Sequence, residues 1–181
     1  MKQTKSLVLC ALFVALISVG AFLKVPVPLV PFTLQFLFTM LAGLLLGPRL
    51  GCGAVCAYLA LGLAGLPLFA QGGGPSYLFQ PSFGYLIGFA AGAYLTGAIA
   101  NQVESPSYRR LLAANFAGLA VVYLFGMVYY QLMSTFYLGN PIGLWPLFLY
   151  CFLLAVPGDI LLCILGAALG KRLIPLVRFS H

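Results

Sequence analysis

The sequence predicts an all-α membrane protein, a single bundle of six transmembrane helices with both termini in the cytoplasm. Hydrophobic residues make up 63% of the chain and charged residues 6%, whereas about a quarter of a soluble domain is charged. Several apolar segments are long enough to cross a hydrocarbon layer of about 30 Å. The 181 residues leave room for one integral membrane domain, residues 1–181, and for no separate soluble domain.

Charge and cysteine content exclude several classes of function. The nine cationic residues behind the net charge of +7 are scattered between apolar segments, so we expect no nucleic-acid partner. The five cysteines fall inside apolar segments, where a thiol packs like a small hydrophobic side chain. The only histidine is the C-terminal residue, His181. We therefore expect neither a metal site nor a cofactor.

Runs of apolar residues and the breaks between them place the helices. They predict helices over about residues 7–23, 32–46, 50–66, 84–100, 111–133 and 146–170. Three prolines within residues 24–31 form a stiff connector, and Gly47-Pro48 forms a turn. Two helices also carry small residues at four-residue spacing, which allows another helix to approach closely. These residues are Ala11 and Ala15 on the first helix, and Gly84, Gly88 and Gly92 on the fourth.

The basic residues predict the orientation of the bundle. With six crossings both termini lie on one side, and eight of the nine cations fall on that side, with Lys24 opposite. Cytoplasmic connections of membrane proteins are enriched in lysine and arginine. The termini are therefore predicted to be cytoplasmic, with the proline-rich connector and the 65–83 connection on the outer face. The eight are Lys2, Lys5, Arg49, Arg109, Arg110, Lys171, Arg172 and Arg178.

The stretch from Gly65 to Phe89 is the first candidate site. The run Gly72-Gly-Gly74 reads as a loop, and the stretch has no charged residue. It combines aromatic rings with uncharged hydrogen-bonding groups, a mixture that suits a cover over a small, partly polar organic molecule. The alternative is a tight connection between two helices with no ligand.

Asp159 is the second candidate, because it follows Pro157-Gly158 inside the last apolar segment. A carboxylate near the middle of a membrane helix costs about 2.5–3.5 kcal/mol on insertion scales, so it is expected to face an interior cavity. The alternative is that it only hydrogen bonds to neighbouring helices. With no second intramembrane acid and no phosphate-binding glycine loop, we expect no catalytic residues and no ATP site.

Five segments together resemble the BioY family, the biotin-specific substrate-binding subunits of energy-coupling-factor (ECF) transporters. The likeness covers nearly the whole chain in the right order. The segments are Pro31-Phe-Thr-Leu-Gln35, Leu41-Ala-Gly-Leu-Leu-Leu-Gly-Pro-Arg49, Gly65-Leu-Pro-Leu-Phe69, Gly84-Tyr-Leu-Ile-Gly-Phe89 and Pro157-Gly-Asp159.

The resemblance implies a substrate-capturing subunit in a prokaryotic cell membrane, a multi-pass protein without its own ATPase. It would capture biotin in an outward-facing pocket and dock, through Ala11 and Ala15, a transmembrane coupling subunit that carries two cytoplasmic ATPases. The ureido group of biotin suits Asp159 and glutamine amides, and its apolar part suits aromatic walls. The expected substrate-binding residues are Gln35, Gln71, Gly73, Gly74, Tyr77, Gln80, Tyr85 and Asp159.

One departure from the family pattern leaves alternatives open. Many relatives carry a lysine three residues after the aspartate, where this chain has Leu162. The same architecture would then bind a different vitamin or a biotin precursor such as dethiobiotin. An intramembrane enzyme using Asp159 as a base, and a helical scaffold without a ligand, are the alternatives from other classes.

Overall fold

The structure is a computed structural model that describes residues 2–25 and 32–178. Six α-helices and a two-stranded antiparallel ribbon are the main elements. The proline-rich connector predicted over 24–31 lies outside the described residues, apart from its first two. The elements are α1 (Lys2–Phe22), β1 (Lys24–Val25), β2 (Phe32–Thr33), α2 (Gln35–Leu63), α3 (Phe83–Ala100), α4 (Tyr108–Leu132), α5 (Leu144–Phe148) and α6 (Val156–Arg178).

By length and composition, five spans of the described residues are apolar enough to cross a membrane, one fewer than the six that the sequence predicts. Two predicted helices, 32–46 and 50–66, are joined in α2. The fifth and last span combines α5, a π-helical turn over Leu149–Leu153, and α6. The spans are Thr4–Phe22, Gln35–Leu63, Phe83–Ala100, Tyr108–Tyr137 and Leu144–Val177.

Helix α2 reverses direction at Gly47, where the backbone leaves the helical region with φ 83° and ψ 178°. A straight helix would separate Gln35 from Tyr58 by about 35 Å. Instead, Gln35 Nε2 donates a hydrogen bond of 2.6 Å to Tyr58 Oη. Gly47 supplies the backbone conformation that other residues rarely adopt, and Pro48 starts the second arm, where its missing N–H costs nothing. The arms, residues 35–46 and 48–63, form a helical hairpin.

Small residues bring α3 against α4. A Cβ atom on Gly84 would lie 2.2 Å from Tyr129 Cβ, and one on Gly88 would lie 2.9 Å from Val122 Cα. A Cβ atom on Gly92 would lie 3.0 Å from the Gly118 carbonyl oxygen. The glycine stripe that the sequence predicts for close packing therefore faces α4.

The chain departs from prediction before α6. Instead of one helix over 146–170, a π-helical turn and two turn residues precede α6, which begins at Val156. Asp159 consequently lies in the first turn of α6 rather than in the middle of a helix. Pro157 lies in the same turn, where proline is tolerated, so it does not kink a continuous helix. Gly158 has a packing role, because a Cβ there would lie 2.7 Å from the Phe32 ring.

Hydrogen bonds place most charges at one end of the bundle. Lys171 Nζ donates to the Pro106 carbonyl oxygen at 3.0 Å, and Arg110 Nε donates to that of Ile99 at 2.8 Å. At the opposite end, Lys24 Nζ donates to the Ala70 carbonyl oxygen at 2.6 Å. Lys24 is thus separated from the other cations, as the sequence predicts.

Candidate ligand-binding cavity

A cavity lies where β2, the start of α2, α3, α4 and α6 meet. Together with the open space at its mouth, it has an empty volume of about 680 Å³. Most of its wall is aromatic or aliphatic, and a few polar groups converge on it. The lining residues are Phe32, Thr33, Gln35, Phe36, Ala70, Tyr77, Ser82, Tyr85, Leu86, Phe89, Leu119, Val122, Tyr123, Tyr150, Cys151, Ala155 and Asp159.

Asp159 is the acidic residue of this wall and is only 8% exposed. Its Oδ2 accepts a hydrogen bond of 2.5 Å from the hydroxyl of Tyr123 on α4. The Tyr123 ring is held edge-on between two aromatic rings, with centroids 6.2 Å from that of Tyr85 and 4.9 Å from that of Phe152. This packing fixes the phenol against the carboxylate.

Tyr85 connects α3 to the segment before α6. Its hydroxyl donates a hydrogen bond of 2.9 Å to the Cys151 carbonyl oxygen. Gly126 makes room for the ring, since a Cβ there would lie 2.4 Å from Tyr85 Cε1. A buried carbonyl in a π-helical turn would otherwise lack a partner, so this bond stabilises the irregular backbone beside Asp159.

A chain of hydrogen bonds fixes a second polar group of the cavity wall, the Gln35 amide. Thr33 Oγ1 donates to Gln35 Oε1 at 3.2 Å, and Gln35 Nε2 donates to Tyr58 Oη. Tyr58 donates in turn to the Leu68 carbonyl oxygen at 3.1 Å. The chain joins β2, both arms of α2 and the loop after α2. These hydrogen bonds use one of the two N–H groups of the Gln35 amide, so the second N–H remains as a donor at the cavity wall.

The loop after α2 covers the cavity with Tyr77. This residue lies in a 3₁₀ turn, Pro75–Phe79, and is 5% exposed. Its ring packs against Phe69, with centroids 4.6 Å apart. Burial raises the pKa of Tyr77 and outweighs the opposite, lowering influence of the Gln71 backbone and the Ser82 side chain. The phenol therefore stays protonated at neutral pH.

The structure brings four of the eight predicted site residues together at the cavity and leaves four outside it. Gln35, Tyr77, Tyr85 and Asp159 line the wall. Gln71, Gly73, Gly74 and Gln80 do not, and the Gln71 side chain is exposed.

The glycines of the loop have structural reasons to be there. A Cβ on Gly73 would lie 2.1 Å from the Leu66 carbonyl oxygen. Gly74 has φ 102° and donates its N–H to the Gly62 carbonyl oxygen at 2.8 Å. They shape the cover and do not form the wall.

Sequence reasoning missed the residues that hold the predicted ones, above all Tyr123 and Tyr58. One signal in the sequence pointed to such a partner. A tyrosine hydroxyl inside a membrane helix needs a hydrogen-bond acceptor, and Asp159 is the acidic residue of the apolar segments. The sequence alone could not choose among Tyr123, Tyr129 and Tyr130 of α4. Among residues 2–25 and 32–178, no group of three or more histidine, cysteine or acidic side chains is placed to hold a metal ion.

Residues 1–179 match the sequence model of the BioY family. The chain belongs to the BioY family. Among the relatives, a protein of Lysinibacillus sphaericus named "Probable biotin transporter BioY" is 44% identical over 180 residues, covering 99% of this chain and 92% of its own. The "Biotin transporter BioY" of Thermotoga maritima is 42% identical over 124 residues, which are 68% of this chain and 72% of its own.

A solved structure shares the fold of this BioY-family chain. It is a crystal structure of the S-component for biotin from an ECF-type ABC transporter. It superposes with a TM-score of 0.84 at 30% identity and covers 95% of this chain and 92% of its own. Together with the apolar spans, these relatives identify the BioY-family chain as a multi-pass prokaryotic membrane protein.

Three further positions, Ala11, Ala15 and Leu162, concern expectations from the BioY resemblance. Ala11 and Ala15 are exposed on α1, which packs its other side against α2. Neighbouring side chains on α1 are also exposed and apolar, namely Leu7, Val8, Leu12 and Val19.

Leu162, at the position where many relatives have lysine, is 7% exposed and does not line the cavity.

Proposed function

We propose that this chain is the substrate-binding subunit of an ECF-type transporter and that it captures biotin in the cavity between α2, α3, α4 and α6. The observation that supports this proposal best is the cavity itself, whose largely aromatic wall holds one buried carboxylate and one glutamine amide. Relatives named as biotin transporters, and the solved S-component for biotin, support this ligand.

The polar groups of biotin match two polar groups of the cavity wall, Asp159 and Gln35. One ureido N–H donates to the Asp159 carboxylate, in a charge-assisted hydrogen bond. The ureido carbonyl oxygen accepts from the Gln35 amide, whose other N–H is held by Tyr58. Tyr77 and Tyr85 contact the apolar ring and chain. Gln71, Gly73, Gly74 and Gln80, predicted as ligand contacts, instead shape the loop that covers the cavity.

We propose six membrane crossings, with α2 contributing two. At 1.5 Å per residue its arms are about 18 Å and 24 Å long, so each needs flanking residues or a locally thinner bilayer to complete its crossing. Cytoplasmic termini then place the cation-rich end inside and the mouth of the cavity, near Lys24 and Ala70, outside.

Transport requires partners in this proposal. The exposed strip with Ala11 and Ala15 on α1 docks a transmembrane coupling subunit, since small residues let two helix backbones approach closely. Two cytoplasmic ATPases attached to that subunit supply the energy. The chain itself binds and delivers the vitamin and performs no chemical step.

Uptake of labelled biotin tests the proposal. A biotin-auxotrophic bacterium without its own biotin importer would express the chain with and without a matching ECF coupling module. We expect uptake that needs the module and that unlabelled biotin suppresses, whereas thiamine, riboflavin and folate do not. Absence of uptake from cells with both components correctly inserted, or suppression by another vitamin alone, would contradict the proposal.

A further inference from the structure

Tyr123 stands apart among the residues around Asp159 because it touches the carboxylate itself. Among the described residues it is the one whose side chain hydrogen bonds to Asp159, and no lysine or arginine of that part of the chain pairs with the carboxylate. The phenol engages Oδ2. Oδ1 is therefore the oxygen left for a ligand in the cavity.

The Tyr123 phenol has little freedom to release the carboxylate. Its side chain is 5% exposed, and its ring packs edge-on against both Tyr85 and Phe152. Asp159 is restrained too, because its backbone N–H is bonded to the Ala155 carbonyl oxygen at 3.1 Å in the first turn of α6. The pair thus sets the plane of the carboxylate before any ligand arrives.

Counting protons defines what this side of the cavity accepts. A phenol has one O–H proton, and a carboxylate has none. Tyr123 uses its proton on Asp159, and Tyr85 uses its proton on the Cys151 carbonyl oxygen. A ligand that reaches either phenol oxygen or the free carboxylate oxygen therefore meets an acceptor and no donor.

Resting on the proposed function, we propose that Tyr123 is a positioning residue that turns one oxygen of Asp159 toward the ligand. With Tyr85 it forms an acceptor wall, made of Tyr85, Tyr123 and Asp159, that selects an N–H-bearing ring edge. A ring oxygen at the same place meets lone pairs, which repel it and leave the buried acceptors unpaired. The wall therefore distinguishes a cyclic urea from a cyclic carbamate of the same shape.

The ligand side of this proposal can be tested on the unmodified protein. Purified full-length chain in detergent is titrated with biotin and with the two carbamate analogues in which one ureido N–H is replaced by oxygen. We expect at least one analogue to bind about tenfold more weakly than biotin or worse, the effect of losing a hydrogen bond to a charged group. Equal affinity for biotin and both carbamates would overturn the acceptor wall.

The protein side uses Tyr123→Phe, which removes the hydroxyl and keeps the ring. We expect biotin affinity to fall about tenfold and the penalty for the weaker carbamate to shrink, because the freed carboxylate no longer presents one fixed oxygen. The matched control is Tyr130→Phe, on the same helix two turns away, buried but outside the cavity wall. It should bind both ligands like the unmodified chain.

Melting temperatures show whether each variant is folded. The pattern of affinity losses across biotin and the two carbamates then separates the outcomes. If Tyr123→Phe weakens biotin and both carbamates by the same factor, or leaves all three unchanged, the positioning role is wrong although biotin binding stands. If the unmodified chain is folded and binds no biotin, the proposed function fails and this inference fails with it.

Discussion

At the scale of single residues, the cavity depends on small and polar side chains that place larger ones. Gly126 shows this most directly, because it contacts the Tyr85 ring and leaves no room for a Cβ atom there. The hydroxyl of Tyr85 hydrogen bonds to the Cys151 carbonyl oxygen. The ring cannot retreat without breaking that bond. A residue that never touches the ligand therefore controls the shape of the wall.

We predict that Gly126→Ala lowers both the melting temperature and the affinity for biotin. The added Cβ would lie 2.4 Å from the Tyr85 ring, and overpacking of this kind typically costs about 1–3 kcal/mol. Gly53→Ala is the matched control, since a Cβ at that helical glycine meets nothing within 4 Å. Thermal unfolding and titration in one detergent measure both effects. A Gly126→Ala variant that melts and binds like the control would show that Tyr85 has more room than the structure gives it.

The sequence predicted those site residues whose chemistry is unusual for their surroundings. Asp159 could be predicted because a carboxylate in an apolar segment is costly, and Tyr77 and Tyr85 because they flank a glycine-rich loop. Gln71 and Gln80 were predicted by the same reasoning and lie outside the cavity. The direction in which a loop side chain points depends on backbone angles such as the φ of 102° at Gly74, which three consecutive glycines leave open.

At the scale of elements, α1 is distinct because it packs against α2 and exposes its other side. In water such an apolar surface would be unstable, but in a bilayer it faces lipid or another helix at little cost. Ala11 and Ala15 make a shallow strip on that exposed side. Docking of a partner helix there requires that the strip stays shallow.

We predict that Ala15→Leu abolishes most biotin uptake while leaving biotin binding by the purified chain unchanged. The larger side chain would hold a partner helix away from α1, far from the cavity wall. Ala120→Leu, at an exposed alanine of α4, is the control and should leave uptake unchanged. Equal uptake by the two variants would place the docking surface elsewhere, and a loss of binding in Ala15→Leu would show that α1 shapes the cavity.

Helix prediction succeeded where local signals are strong and failed where tertiary contacts decide. Gly47-Pro48 indicated the reversal between the two arms of α2, and the structure makes the turn at Gly47. The interruption before α6 has no comparable local signal. Residues 147–156 are all apolar or aromatic, and the π-helical turn among them accepts a hydrogen bond at the Cys151 carbonyl oxygen from Tyr85, 66 residues earlier in the chain.

At the scale of the whole molecule, the two ends differ in charge and in what they contain. Contacts at one end link Lys171 to Pro106 and Arg110 to Ile99, whereas the cavity mouth lies near Lys24 at the other. The sequence predicted this separation from the order of helices and cations alone. Which end faces the cytoplasm is the part that rests on the distribution of positive charge.

Labelling with a membrane-impermeant maleimide tests the orientation. In a variant without the five native cysteines, Asn140→Cys and Ser105→Cys place single thiols at exposed positions beyond opposite ends of α4. Intact cells should label Asn140→Cys and not Ser105→Cys, and permeabilised cells should label both. Labelling of Ser105→Cys in intact cells would reverse the proposed topology.

The most direct test of the account is calorimetric titration of the purified chain with biotin. Its two acidic residues, Asp159 and Glu104, provide a matched pair of variants, one in the cavity wall and one exposed at the other end. We predict one tight site in the unmodified chain and in Glu104→Gln, and at least tenfold weaker binding, about 1.4 kcal/mol, in Asp159→Asn. Binding by Asp159→Asn as tight as that of Glu104→Gln, or no binding by the folded unmodified chain, would contradict it.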